Sequence, residues 1–240
     1  MKKYFVMSDV HNCYFEMIHA LNKAGFDLDN DGHIFVHCGD LLDRGPNPRE
    51  CLEFVNNLPE NRKILIKGNH EYLLEMLLER GYFKEHDLWN GALTTIQATV
   101  GCNDEETMLN DFKNDPEWIK YIKSTVNFAE VGNYVFVHGW IPCIIYPDKS
   151  FEYTENWRKY SWDQAVWQNG MALWEAGIRE PNKTIVCGHW KTAYANAKYN
   201  PEYKTTYDLY KTFKNDGIIA LDGSVNHTRI MNLEVLEVDE

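Results

Sequence analysis

The chain has 240 residues, 44% of them hydrophobic and 25% charged, the ordinary balance of a soluble globular protein long enough to bury one core. A formal net charge of −12 argues against a general nucleic-acid binder, because phosphate backbones would repel it, and is compatible with an acidic pocket that holds cations. Six cysteines without a C-x-x-C pair, no signal-peptide pattern and no run of transmembrane length lead us to expect a cytoplasmic protein without a membrane or stable nucleic-acid partner.

Tyr4 to Met7 is an apolar run that predicts a first strand, with Ser8-Asp9-Val10-His11-Asn12 as the loop at its end. Asp9 and His11 are two apart, so in extended backbone both project to one side and place an oxygen beside an imidazole. Tyr14, Met17, Ile18 and Leu21 have helical spacing, with Asn12 as cap and Gly25 as stop. Asp27-Leu28-Asp29-Asn30-Asp31-Gly32 opens like a calcium loop. Its twelfth position is Cys38 instead of a bidentate glutamate, so it reads as a polar turn. The strand Ile34 to Val36 follows and leads to Gly39-Asp40-Leu41-Leu42-Asp43-Arg44-Gly45. Two carboxylates and a guanidinium within five residues suit a divalent cation beside a phosphate, although a surface ion pair would have the same composition.

Asn47-Pro48-Arg49-Glu50 starts a helix with Cys51, Leu52, Val55 and Leu58 on its apolar face. The strand Lys63 to Ile66 runs into Gly68-Asn69-His70-Glu71. Residues 72–130 predict a mostly helical insertion or cap, whose Trp89, Phe112 and Trp118 are expected in the core. Further strands at 134–137 and 184–187 end in His138-Gly139-Trp140 and Gly188-His189-Trp190. Residues 218–221 end in Asp222-Gly223, and residues 233–238 alternate as a closing strand.

Five strand ends thus carry Asp9/His11, Asp40/Asp43/Arg44, Asn69/His70, His138 and His189. Parallel strands deliver their carboxyl ends to one sheet edge. Two carboxylates, three imidazoles and an amide gathered there would serve two cations that share a carboxylate.

The succession SDVHN, GDLLDRG, GNHE, VHG and GHW resembles the calcineurin-like metallophosphoesterases and, within them, the phosphoprotein phosphatases. The resemblance implies an α/β fold: one domain over residues 1–240, built as a four-layer α/β/β/α sandwich of two mixed sheets with the helical insertion at about 72–130. It implies one metal on Asp9, His11 and Asp40 and a second on Asp40, Asn69, His138 and His189. His70 would protonate the leaving oxygen, Asp43 would orient His70, and Arg44 would grip the phosphate. The expected cofactors are two divalent metal ions, manganese first, with iron or zinc as alternatives. The implied activity is hydrolysis of phosphate monoesters, as in serine/threonine phosphatases, by attack of a metal-bridging hydroxide. The substrate would be a phosphorylated small molecule, a phosphoprotein or a nucleotide. The alternative activity is hydrolysis of dinucleoside polyphosphates such as diadenosine tetraphosphate. A non-catalytic binding module would have eroded ligands, and here all are present.

Two departures bear on this reading. Ser8 and Asn12 stand where the phosphoprotein phosphatases have glycines. Their second phosphate-gripping arginine, often in a W-x-R string, is matched only by Trp167-Gln168-Asn169, leaving Arg158 and Arg179 as substitutes. The tryptophans between Trp157 and Trp174 could stack on a base, though core packing is the expected role.

Overall fold

The protein is described by a computed structural model over residues 1–239. Its amino-terminal half runs β1 (Lys2–Met7), α1 (Tyr14–Ala24), β2 (His33–His37), α2 (Pro48–Asn57), β3 (Lys63–Ile66) and α3 (Asn69–Arg80). Four helices follow, α4 (Glu85–Asn90), α5 (Ala92–Val100), α6 (Glu105–Lys113) and α7 (Pro116–Ser124), before β4 (Thr125–Val126). The rest comprises β5 (Ala129–Val131), β6 (Tyr134–Phe136), the hairpin β7 (Ile144–Ile145) and β8 (Phe151–Glu152), α8 (Gly170–Glu175) and β9 (Thr184–Cys187). It closes with α9 (Ala193–Tyr199), α10 (Thr206–Tyr210), β10 (Phe213–Asn215), β11 (Ile218–Ala220), α11 (Val225–Thr228) and β12 (Glu234–Val238).

Strand alternation sets the layers. Phe5, Met7, Phe35 and Leu65 point to one face of the first sheet, and Tyr4, Val6, Ile34, Val36 and Ile66 point to the other. The first set packs against α1 to α3 and α5 to α7 through Met17, Leu52, Leu74, Ile96, Phe112 and Trp118. The second set meets Phe136, Val186 and Ile219 of the second sheet, so the middle layer is an apolar sheet-on-sheet contact. The outer face of that second sheet, with Val135, Ile185 and Ile218, is covered by Trp140, Trp157, Trp162 and Trp174. Both sheets are mixed: β12-β1-β2-β3-β4 and β10-β11-β9-β6-β5, parallel in the middle with antiparallel partners at β12, β10 and β5. This is the expected sandwich. Among the described residues, no helix is long and apolar enough to cross a membrane.

Two local expectations fail. Asn12 does not cap α1. Its side chain instead donates to the Gly45 carbonyl and the Thr95 hydroxyl, tying the first loop to α5. Trp89 is 77% exposed at the end of α4, because that short helix turns its other face, with Asp87, toward the protein. Phe112 and Trp118 are buried as expected.

The carboxyl ends of the parallel strands β1, β2 and β3, and of β6, β9 and β11, meet at one edge of the sandwich. The contacts that join the two sets are direct: His138 Nδ1 lies 2.8 Å from the Cys38 carbonyl, and the His189 amide donates to Asp9.

Candidate active site

The loops at this edge take a conformation that L-residues avoid. Asp9, His11, Asn12, Asp40, Asp43, Arg44 and His189 all have φ between 47° and 72°. Such strain costs on the order of 1 kcal/mol or more per residue and persists where the surroundings over-determine it, typically at functional sites. Two glycines leave room for it. A Cβ on Gly68 would fall 2.2 Å from Asp40 Oδ1, and one on Gly188 would fall 2.1 Å from Asp9 Oδ2.

Three histidines have one nitrogen committed to a backbone carbonyl. His11 Nδ1 is paired with Leu42 O at 3.0 Å, His138 Nδ1 with Cys38 O at 2.8 Å and His189 Nε2 with Trp167 O at 3.1 Å. A carbonyl only accepts, so each of these nitrogens donates, and the opposite one is left to serve as a ligand. His11, Asp40 and His70 bring donor atoms within 4.8 Å of one another, as do Asp40, His138 and His189, and Asp40 is common to both groups. Asn69 Oδ1 lies 2.9 Å from His138 Nε2, which extends the second group. Asp9 belongs to neither; its carboxylate accepts from the Ser8 hydroxyl at 2.6 Å and from the His189 amide at 2.9 Å. Five of the six predicted ligands, His11, Asp40, Asn69, His138 and His189, therefore lie together, while Asp9 is turned toward the protein and His70 stands in the first group in its place. The donor set of carboxylate, imidazole and amide fits divalent manganese, iron or zinc.

The charges favour cations as well. Burial pushes the Asp9 carboxyl up to about 6, with Asp40 adding to the rise. Burial also opposes the charge on Asp40, yet the rings of His138, His70 and His11 hold it well below the usual carboxylate range. Burial likewise opposes a proton on His138, but Asp40 and Asp9 raise it to about 10. Burial and His138 press His189 down to about 3. Asp9 and Asp40 are buried together and each disfavours the other's charge, which a cation beside them would relieve.

Arg44 lies beside this cluster with no carboxylate partner among the described residues. Its Nη1 donates to His11 Nε2 at 2.8 Å and its Nη2 lies 2.9 Å from His70 Nε2. The His11 lone pair engaged here is the one a cation would need, so ligation frees the guanidinium for an anion. His70 Nδ1 pairs with Asp43 Oδ2 at 2.8 Å, as expected of an oriented acid. Burial and Arg44 oppose a charge on His70, but Asp40 and Asp43 outweigh them and raise the ring above its ordinary value; because a guanidinium only donates, a proton on Nε2 requires Arg44 to turn from it to an anion.

One organising residue was not singled out from the sequence. Glu71 is fully buried, and its carboxylate accepts from the amides of Asp40, Leu41 and Gly68 at 3.0, 3.0 and 2.8 Å. It clamps the Asp40 loop to the start of α3, which fixes Asn69 and His70 in the first turn of that helix. The signal was the glutamate of the G-N-H-E string itself. Asp222, noted only as a strand end, is a second such residue. It is buried at the cleft, and burial with Asp9 nearby holds its carboxyl well above the usual range.

A cleft of about 780 Å³ opens from His11, Arg44 and His189 along α9 and α11, walled by Trp190, Lys191 and Tyr194. A larger one, about 990 Å³, lies elsewhere beside α1 and contains none of the converging ligands.

A family model for calcineurin-like phosphoesterases matches residues 2–220. The chain belongs to the calcineurin-like phosphoesterase family. Among curated relatives of this phosphoesterase, a symmetrical bis(5'-nucleosyl)-tetraphosphatase of Buchnera aphidicola is 41% identical over 71 residues, 30% of this chain and 24% of that one. The corresponding enzyme of Coxiella burnetii is 30% identical over 138 residues, 58% of this chain and 42% of that one. An asymmetrical bis(5'-nucleosyl)-tetraphosphatase of Bacillus subtilis is 36% identical over 74 residues, 28% of this chain and 30% of that one. The chain thus spans well under half the length of these curated relatives. Among solved structures, one described as a diadenosine tetraphosphatase superposes with TM-score 0.59 and 15% identity, covering 98% of this chain and 89% of that one. A cold-active protein-tyrosine phosphatase of Shewanella gives 0.58 and 18%, covering 99% and 76%. At such identity the likeness is of fold alone.

Neither candidate second arginine of this phosphoesterase reaches the site. Arg158 lies 4.1 Å over the Trp157 ring and donates to Glu130 and Glu180 at 2.9 and 2.8 Å, and Arg179 stacks on Trp174 at 4.8 Å and faces Asp216. Asn169 caps α8 by accepting from the Ala172 amide. Arg158→Ala is accordingly expected to leave turnover within about twofold while lowering stability by about 1 kcal/mol in urea unfolding. The same cluster has a pH signature. Arg158 and Lys183 hold Glu130 down at about 2, so its contribution is intact above the ordinary carboxyl range and lost as pH falls toward 2. An unaltered acid-unfolding profile in the variant would contradict this role.

Proposed function

We propose that this protein is a metal-dependent hydrolase of dinucleoside polyphosphates. Asp9, His11 and Asp40 hold one divalent cation, and Asp40, Asn69, His138 and His189 hold the other. The observation that carries the substrate class is the cleft running out of the site. Trp190 and Tyr194 are 45% and 44% exposed there, with ring centroids 6.4 Å apart, and outside the cleft lining Trp167 (46% exposed) stands with its ring 6.1 Å from that of His189. Exposed rings next to a phosphate-binding guanidinium suit a nucleobase joined to a phosphate chain, since every base has a face that stacks. Lys191 supplies a cation along the wall, where an extended chain of phosphates spreads its charge. The three curated relatives named above, each a bis(5'-nucleosyl)-tetraphosphatase, support this class. Phosphoprotein hydrolysis draws on motif likeness and on neighbours that share only the fold.

When bound, the two cations supply Lewis acidity and lower the pKa of water toward neutrality. The chain does the rest. Arg44 holds the non-bridging oxygens of the phosphoryl group under attack. His70 delivers a proton from Nε2 to the departing oxygen, and Asp43 keeps Nδ1 protonated and the ring aimed. The strained loops and the Glu71 clamp hold these groups in place before substrate arrives.

The test compares diadenosine tetraphosphate, a phosphoserine peptide and p-nitrophenyl phosphate with manganese-loaded enzyme. We expect kcat/KM at least about tenfold higher for the tetraphosphate, and we expect Trp190→Ala to lower that value about tenfold while leaving p-nitrophenyl phosphate unchanged. Preference for the peptide, with Trp190→Ala silent on every substrate, would overturn the assignment.

A further inference from the structure

A cleft of about 990 Å³ lies away from the metal-type cluster, between α1 and residues 228–234. Its charge runs against that of the chain. Lys23, Lys211, Lys214 and Arg229 line it with only Glu16 and Glu234 in opposition, in a protein whose formal net charge is −12. Arg229 is paired with Glu16 at 3.0 Å and Lys214 with Glu234 at 2.5 Å. Lys23, however, has no carboxylate partner among the described residues. His19, one turn before it on α1, also faces the cleft without one. The remaining wall is aromatic. Phe15 is 67% exposed and Tyr207 is 63% exposed, and both border the space. Two large rings left in water at the rim of a concave surface are costly unless something covers them.

We propose that this cleft is a second binding site, for a nucleotide: an anion carrying a planar ring. Lys23 and Lys211 receive the phosphate, and the ring lies against Phe15 and Tyr207. Lys23, without a carboxylate partner, and Lys211, held by Asp208 at 3.4 Å and by the Tyr203 ring at 4.0 Å, supply charge with one ion pair to loosen. The site cannot be an extension of the catalytic cleft. α11 separates the two, with Asn226 and His227 on the catalytic side and Thr228 and Arg229 on this one. Its ends, Ser224 and Arg229, both sit at positive φ, 55° and 63°. A ligand seated here therefore rests on the back of the element that forms one wall of the catalytic cleft, and this is the position from which occupancy of one site reaches the other.

The test is calorimetric titration of the metal-free 240-residue chain with adenosine diphosphate, which is not turned over under those conditions. Two molecules are expected to bind wild type. Lys23→Glu and Phe15→Ala, both changes at exposed positions, should each weaken one of the two events about tenfold and leave the other alone. Trp190→Ala should weaken only the other. A single event that responds to Lys23→Glu and Phe15→Ala but not to Trp190→Ala would uphold the second site and count against the hydrolase assignment. Binding that responds to Trp190→Ala alone, or no binding at all, would overturn the second site.

Discussion

Asp40→Asn is expected to lose bound metal and turnover together. Asp40 is the one side chain shared by both donor groups, and it has its oxygens 3.3 Å from His138 Nε2 and 3.8 Å from His11 Nε2. Asparagine has nearly the same shape and tolerates the left-handed backbone that this position requires, φ 60°. The variant should therefore fold, which circular dichroism can confirm. It lacks the charge that lets one carboxylate serve two cations, and its amide nitrogen would present a donor where ligand lone pairs are needed. We expect metal content to fall from two ions per chain to one or none, and kcat/KM to fall at least about 10³-fold. A folded variant that keeps two ions and its full rate would show that the cations, if bound, do not share Asp40.

His70→Asn separates proton delivery from metal binding. His70 faces Arg44 through Nε2 and Asp43 through Nδ1, and its ring is the one imidazole here without a backbone carbonyl partner. Removing it should leave metal content unchanged while slowing alkyl phosphate hydrolysis by roughly 10²–10⁴-fold. The loss should be much smaller for p-nitrophenyl phosphate and for the tetraphosphate, whose leaving oxygens need less help from a proton. The pH profile adds a second readout. Because His70 is raised above its ordinary value, it carries its proton on the acidic side, and the wild-type rate should decline as pH rises through that raised value. His70→Asn should lose that basic limb. Equal losses on alkyl and aryl esters, with the basic limb intact, would place the acid elsewhere.

The site was more legible than its supports. Asp9, His11, Asp40, Asn69, His138 and His189 could be placed because each ends an apolar run long enough to recognise as a strand, and parallel strands bring such ends together. Arg44 and Asp43 came with the same loop. What escaped notice depends on distant partners. Asn12 looked like a helix cap by position, but Thr95, its partner, lies 83 residues away. Glu71 sits three residues from Gly68, yet two of its three amides belong to the Asp40 loop. β4, β5, β7, β8 and β10 are two or three residues long, too short for any periodicity, and exist because neighbouring strands offer them hydrogen bonds. Likewise α3 starts at Asn69, four residues before its leucines at 73 and 74 announce a helix, since Glu71 fastens its first turn. Trp167 remains half in water while Trp157, Trp162 and Trp174 fill the outer core, a split that their spacing does not reveal.

With Arg158 held by Glu130 and Glu180 and Arg179 turned to Asp216, Arg44 is the guanidinium at the catalytic edge. A single guanidinium grips a terminal phosphate less firmly than two. Substrates whose binding energy comes from elsewhere, from rings on Trp190 and Tyr194 or phosphates near Lys191, suffer least from that difference.

The most direct measurement is hydrolysis of diadenosine tetraphosphate by metal-stripped protein, before and after manganese is added, with metal content counted on the same sample. The proposed site predicts no turnover when stripped, two ions bound per chain on reconstitution, and restored release of nucleotide in step with the second ion. Two bound ions with no nucleotide released would leave the metal centre standing and contradict the substrate assignment. Failure to bind metal at all would contradict the centre assembled from Asp9, His11, Asp40, Asn69, His138 and His189.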